Sequence, residues 1–234
     1  MNNRNSERWP FMERPVAALV LAIVGGLLSG YTFYTVKLFS TVQSGNVVQA
    51  GYQVAAGSGV QLQHAVLAIL SFGLGSAVTA LLENLMAEIE VDYSYVILFI
   101  EAAILLPMGF AFLHDRWSGL VYAYIVSFLA GMQGNAFHRV DGFLYGNVAV
   151  TLVVQQAFNH LVQSLFGNPR AHLLQSALFF MVLAGFAGGG SAGALGTREL
   201  EQRILWLPAA LLALMGVWGL WFQRRGTSVD IPIG

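Results

Sequence analysis

The sequence predicts an all-α protein that crosses a lipid bilayer several times. Of its 234 residues, 56% are hydrophobic and only 10% are charged, whereas soluble domains carry about 25% charged residues. The charges are missing from long blocks rather than thinned evenly, and each block provides the roughly 20 apolar residues that a spanning helix needs. These observations predict a polytopic membrane protein with about six transmembrane helices.

Six apolar blocks follow one another along the chain, near 15–36, 62–84, 93–113, 117–138, 171–195 and 203–222. The first block is longer than the core of a signal peptide, so we predict a retained helix with Pro15 in its first turn. Two further stretches, 38–57 and 142–165, are more polar and are interrupted by glycines. We expect these two segments to pack against each other, with breaks near Gly45 and near Gly142 or Gly146.

The distribution of Lys and Arg predicts the side of the membrane on which the termini lie. With the amino terminus inside, six crossings place seven of the eleven basic residues inside and four outside. If the two glycine-interrupted segments also cross, Arg116 and Arg139 exchange sides and the ratio is unchanged. The rule therefore predicts that both termini are cytoplasmic, and it leaves six and eight crossings open.

The two halves of the chain resemble copies of each other. The glycine motif 26–30 is followed by Gly45-Asn46, and the similar motif 131–135 is followed by Gly146-Asn147. Three crossings per half would make the copies inverted in the membrane, and four would make them parallel. We predict one transmembrane domain, 1–234, with a first repeat 15–113, a second repeat 117–222 and cytoplasmic tails 1–14 and 223–234.

Polar side chains are concentrated in the two glycine-interrupted segments. In the second segment they recur every four residues, a spacing that forms a ridge on a helix, at Asn147, Thr151, Gln155, Asn159 and Gln163. In the first segment the corresponding group is Ser44, Asn46, Gln49 and Gln53. Amides in hydrocarbon are costly without partners. The ridges indicate either a hydrophilic pathway between the halves, or interhelical hydrogen bonding and a helix at the membrane interface.

Glu101 is the one acidic residue deep inside an apolar block. A carboxylate at that depth should face the bundle and be paired, hydrated or protonated. It is therefore either a proton or cation site, or a buried structural partner. Arg139 could similarly bind an anionic group, or could be an interfacial anchor paired with Asp141.

Several function classes are not supported by the residues. The net charge of −1 does not indicate nucleic-acid binding, and the chain has no cysteine. The run of glycines at 188–190 is not followed by the lysine of a phosphate-binding loop, and the histidines show no metal-ligand spacing. We therefore expect no enzymatic activity, no metal and no cofactor.

The order of these motifs resembles that of a known family. The matching residues are Ser44-Gly45-Asn46, Glu101, and the motif at 131–136, which contains Gln133 and Asn135 and is followed by Arg139. The chain is similar to the YoaK-like family of bacterial multi-pass membrane proteins, a domain of unknown function. Members often carry Asp-Ala after the first glycine motif, where this chain has Ser29-Gly30. The resemblance implies a location in the bacterial inner membrane and leaves the activity open.

The leading hypothesis is a small-solute transporter or permease, coupled to protons, because transporters commonly bind substrate at broken helices between repeats. The alternative is a non-transporting assembly or regulatory partner in the membrane. An intramembrane enzyme acting on lipid is the least favoured class. The expected partners are the bilayer and a small solute, with self-association left open. The candidate pathway residues are Ser44, Asn46, Gln49, Gln53, Glu101, Gln133, Asn135, Arg139, Asn147, Thr151, Gln155 and Asn159.

Overall fold

The prediction of an all-α protein is confirmed by a computed structural model, which describes residues 10–88, 92–166 and 168–224. Within these ranges nine α-helices follow one another: α1 (Pro15–Val36), α2 (Gln43–Ala56), α3 (Gly59–Ala87), α4 (Tyr93–Met108), α5 (Ala111–His114), α6 (Gly119–Ala136), α7 (Thr151–Gln163), α8 (Pro169–Leu200) and α9 (Trp206–Arg224). A hairpin of β1 (Arg139–Val140) and β2 (Phe143–Leu144) separates α6 from α7. Short 3₁₀ helices, Phe11–Glu13 and Glu201–Leu205, precede α1 and α9.

Three stretches among the described residues are long and apolar enough to cross a membrane. They are Pro15–Val36, Gly59–Ala87 and Pro169–Gln223, and the last of them contains both α8 and α9. Tyr93–Met108 is a shorter apolar helix. Together with the apolar composition, these stretches identify a helical membrane protein.

The first helix has the bounds that the sequence predicts, and both ends have a local cause. Pro15 occupies the first turn, where a missing N–H costs no hydrogen bond. At the other end Lys37 adopts a left-handed conformation, with φ of 56°, and its N–H closes the helix on the Phe33 carbonyl. We call the end of the bundle at which α1 begins the proximal end, and the end at which α1 stops the distal end.

Two pairs of helices pack closely and in parallel. Along α1 and α8, Gly189 lies against the Ile23 backbone and Gly193 against the Leu27 backbone. Along α3 and α6, Ser76 donates to the Gly131 carbonyl at 3.1 Å, and Thr79 donates to the Met132 carbonyl at 3.2 Å. In both pairs small residues let the two backbones approach.

Two other contacts between helices are antiparallel. The indole N–H of Trp206, at the start of α9, donates to the Leu106 carbonyl near the end of α4 at 3.1 Å. Tyr31, near the end of α1, packs against Tyr122, near the start of α6, with ring centroids 6.4 Å apart. The largest buried hydrophobic cluster draws on α1, α4, α6 and α9, so the core lies between these four helices.

The glycine-interrupted segments do not lie as we predicted. In the described part of the chain, α2 packs mainly against α3 and α7 mainly against α8, and the expected packing of the two segments on each other is wrong. The first break lies at 37–42 rather than at Gly45, which belongs to the first turn of α2. Each segment packs on the next helix in the sequence, rather than on the other segment, because a turn of only a few residues connects the two.

The second break is near Gly142, as predicted, but it is a β-hairpin rather than a kinked helix. Asp141 and Gly142 form its turn with φ values of 47° and 79°. A two-residue turn with both φ values positive matches the twist of the flanking strands. The predicted tails lie mostly outside the described residues, including Arg4, Arg8 and Arg225.

Candidate functional site

Glu101 lies in the interior of the bundle, near the middle of α4. It is 1% exposed, and the buried apolar residues Ile97, Leu98 and Leu105 flank it on the same helix. Its Oε1 atom has no hydrogen-bond partner among the described residues. Eight residues separate it from Tyr93, which places it about 12 Å along the helix from the proximal end. The Glu101 carboxyl is therefore buried at depth, and its Oε1 atom has no fixed partner in the described part of the chain.

A second group of buried polar side chains joins α1, α6 and the loop before α7. The Gln133 amide donates to the Leu21 carbonyl at 3.2 Å. The Asn147 amide donates to the Gln133 carbonyl at 3.3 Å and also to the Phe137 carbonyl. Gly25 makes room for this loop, because a Cβ atom there would meet the Asn147 backbone oxygen. The loop at Asn147 is thus held against the inside of α1 and α6.

Replacing Asn147 should weaken the bundle measurably. Asn147→Ala removes the donor to two buried backbone carbonyls, so we expect a loss of roughly 1–3 kcal/mol in the free energy of unfolding. Thermal unfolding of the purified protein in detergent measures this loss. Asn159→Ala is the matched control, because Asn159 is exposed on α7. Equal effects of the two substitutions would contradict the anchoring role of Asn147.

Asn46 performs a similar task in the first half. It is fully buried, and its amide donates to the Phe39 carbonyl at 2.5 Å and to Gln43 Oε1 at 2.9 Å. The loop before α2 is also held by Ser40, which donates to the Ala123 carbonyl of α6 at 2.9 Å. In both halves, then, a buried asparagine of a Gly-Asn motif fixes the loop that precedes or opens the short helix. The amide oxygens of both asparagines are buried without a partner among the described residues.

The remaining predicted pathway residues are not gathered into one place. Gln49 and Gln53 are half-buried on α2, while Ser44 is exposed. Asn135 is half-buried and donates to the Ser76 carbonyl at 3.1 Å. The ridge on α7 points outward, since Thr151, Gln155, Asn159 and Gln163 are all exposed. The face of α7 that packs on α8 instead contains Val153, Ala157 and His160, and Ser164 just after the helix is also buried.

A polar pocket opens at the proximal end of the bundle, and we call it the proximal pocket. Its volume is about 320 Å³, and its lining comes from the segment before α1 and from the ends of α3, α4 and α6. The ionisable residues that line it are Glu13, Glu83, Asp92, His138 and Arg139. The sequence offered one signal for this pocket, since Glu83 and Asp92 belong to a stretch without any Lys or Arg.

The position of Glu13 is fixed by the backbone. Its carbonyl accepts from the Asp141 N–H at 2.8 Å, which joins the segment before α1 to the β-hairpin. Burial raises the pKa of the Glu13 carboxyl, and the nearby charge of Arg139 partly opposes that rise. Arg139 itself is exposed, and within the described ranges it makes no ion pair with Asp141 or with another carboxylate.

Two further pockets are apolar. One of about 560 Å³ lies between α3, α4 and α6, and one of about 280 Å³ lies between α1 and α9. Neither these pockets nor the proximal pocket is lined by Glu101, Asn46 or Asn147. The described residues include no group of three or more potential metal ligands.

The chain was also compared with known proteins. A family described as "Protein of unknown function (DUF1275)" matches residues 17–218. No curated protein matches the chain, and no solved structure matches it. The match extends from the first turn of α1 to the last turns of α9, so it includes every buried polar residue of the bundle described above. The chain therefore belongs to the DUF1275 family.

Proposed function

We propose that this protein is a small-solute transporter of the bacterial inner membrane, driven by protons that bind at Glu101. The observation that supports this most is the burial of Glu101 in an apolar helix without a partner among the described residues. Such a carboxyl is costly to maintain in a membrane, and relays in pumps and transporters use residues of this kind. The YoaK-like assignment, which is compatible with the DUF1275 match, belongs to this proposal.

The arrangement of the helices supports an inverted repeat within the transporter. In the proposed repeat, α1 corresponds to α6, α3 to α8 and α4 to α9. When each helix is replaced by its counterpart, the parallel pair α1–α8 becomes α6–α3, which is also parallel. The same exchange maps the contacts α4–α9 and α1–α6 onto themselves, and both are antiparallel. A two-fold axis in the membrane plane relates elements in this way.

The lengths of the short helices support six crossings rather than eight. α2 has 14 residues and α7 has 13, whereas a crossing takes about 20. Three crossings per half agree with the antiparallel relation between α1 and α6. In this proposal α2 and α7 accompany α3 and α8 without crossing.

The orientation follows from the charge distribution and gives a direct test. Both termini are expected in the cytoplasm, because seven of the eleven basic residues then lie inside. Reporter fusions after Asn2 and after Gly226 should both give cytoplasmic signals. A periplasmic signal from one fusion alone would reject the even number of crossings, and periplasmic signals from both would reject the orientation.

Transport itself is tested with the purified full-length chain in proteoliposomes. A panel of labelled small solutes is offered with and without an imposed proton gradient, and empty liposomes serve as the reference. We expect at least one solute to accumulate only when both the protein and the gradient are present. Absence of any accumulation across cationic, anionic and neutral solutes would favour the alternative.

The alternative is an assembly or regulatory partner in the membrane, and one feature supports it. The outward face of α2 is apolar, with Val48 74% exposed and Tyr52 68% exposed, and it could receive another membrane protein as well as lipid. Copurification of a stoichiometric membrane partner, together with a failure to transport, would favour this function.

A further inference from the structure

We propose that the proximal pocket binds a small organic ammonium ion and is a site through which the transported solute enters or leaves the bundle. The substrate class is then a compact cation that carries a primary amine. The role of the pocket in solute passage rests on the proposed transport function, whereas the binding of an ammonium ion does not depend on it.

The charge of the pocket selects a cation. Three of its lining residues are carboxylic acids, Glu13, Glu83 and Asp92, and Arg139 is the single Lys or Arg among the described residues that line it. The described residues include no ion pair between that guanidinium and any of the three. An ammonium ion would satisfy these carboxylates through charge-assisted hydrogen bonds, which are stronger than neutral ones.

The pocket also contains a group that lacks a partner among the described residues. The Oε2 atom of Glu13 is buried and has no hydrogen bond within the described part of the chain. A buried acceptor without a donor is costly, and a bound ligand is one way of supplying the donor. The volume of about 320 Å³ falls at the lower end of the range for ligand sites, so the ligand must be small.

The pocket leads towards Glu101 along one face of α4. Ser94 lines the pocket, and Glu101 follows it by seven residues, which is two helical turns and therefore the same face. Between them lie the buried side chains of Ile97 and Leu98, each 0% exposed. These two residues form an apolar layer between the pocket and the buried carboxyl, within the roughly 10 Å of helix rise that separates Ser94 from Glu101. A solute in the pocket would thus be separated from the proton site by a layer that must open during transport.

Binding is tested by calorimetry on the full-length protein in detergent, with three probes of equal size and different charge. Propylammonium, propionate and propanol are titrated separately, and we expect heat of binding only from propylammonium. Glu13→Gln should weaken that binding roughly tenfold. Asp92→Asn should do the same while keeping the oxygen that accepts from the Ser94 N–H and caps α4 at 2.9 Å.

Glu199→Gln is the matched control, because Glu199 is an exposed carboxylate at the far end of α8. It should leave binding of propylammonium unchanged. Preferred binding of propionate would overturn the proposal and would assign an anion to Arg139. No binding of any probe, or equal loss in the Glu199 variant, would also overturn it. Binding without transport would leave the site intact and remove only the proposed transport function.

Discussion

Glu101→Gln should abolish proton-driven uptake while leaving the protein folded and inserted. Glutamine keeps the shape of the side chain and removes the group that gains and loses a proton. Uptake driven by a gradient requires that step, whereas exchange of labelled for unlabelled solute at equal pH does not. We therefore expect accumulation in proteoliposomes to fall to the level of empty liposomes, with exchange retained.

Two controls distinguish a loss of proton coupling from a loss of folding. Size-exclusion profiles and thermal unfolding of Glu101→Gln should match those of the parent chain, because the amide removes a buried ionisable group without creating a cavity. Glu101→Asp keeps a titratable group and should retain part of the accumulation. Full proton-driven uptake by Glu101→Gln would show that the coupling role is wrong, and failure to fold would assign Glu101 a structural role instead.

Large effects on stability are also expected where α3 and α6 touch. A Cβ atom on Gly75 would overlap the Phe128 carbonyl, and one on Gly131 would overlap the Phe72 carbonyl. Because both obstacles are backbone atoms, the helices must move apart and lose the hydrogen bonds from Ser76 and Thr79. We expect Gly75→Ala and Gly131→Ala each to cost about 1–3 kcal/mol in unfolding free energy.

Gly73→Ala provides the matched control on the same helix. A Cβ atom there meets nothing within 4 Å, and alanine favours a helix over glycine by about 1 kcal/mol. Thermal unfolding in detergent should therefore show that Gly73→Ala is neutral or stabilising while its neighbour Gly75→Ala is destabilising. A similar loss in both variants would contradict the close parallel packing of α3 and α6.

The site could be predicted only in part, and particular residues show why. Glu101 can be identified as a candidate from the sequence alone, because a carboxylate in an apolar block is rare. The ridge at Gln155 and Asn159 also stands out, yet its residues are exposed. Periodicity shows that side chains share a face of a helix, but it does not show which face meets the bundle. Glu13 was missed because its place in the proximal pocket depends on a backbone hydrogen bond to Asp141, 128 positions away in the chain.

The sequence by itself determined that the chain is a helical membrane protein, and it placed the bounds of α1 and the buried carboxyl of α4. These features depend on local composition, on proline and on the length that a bilayer requires. Only the tertiary structure decided that α1 pairs with α8, that α3 pairs with α6, and that α2 and α7 lie apart. Glycines permit a close approach without specifying the partner, so the choice depends on how two complete backbones fit together.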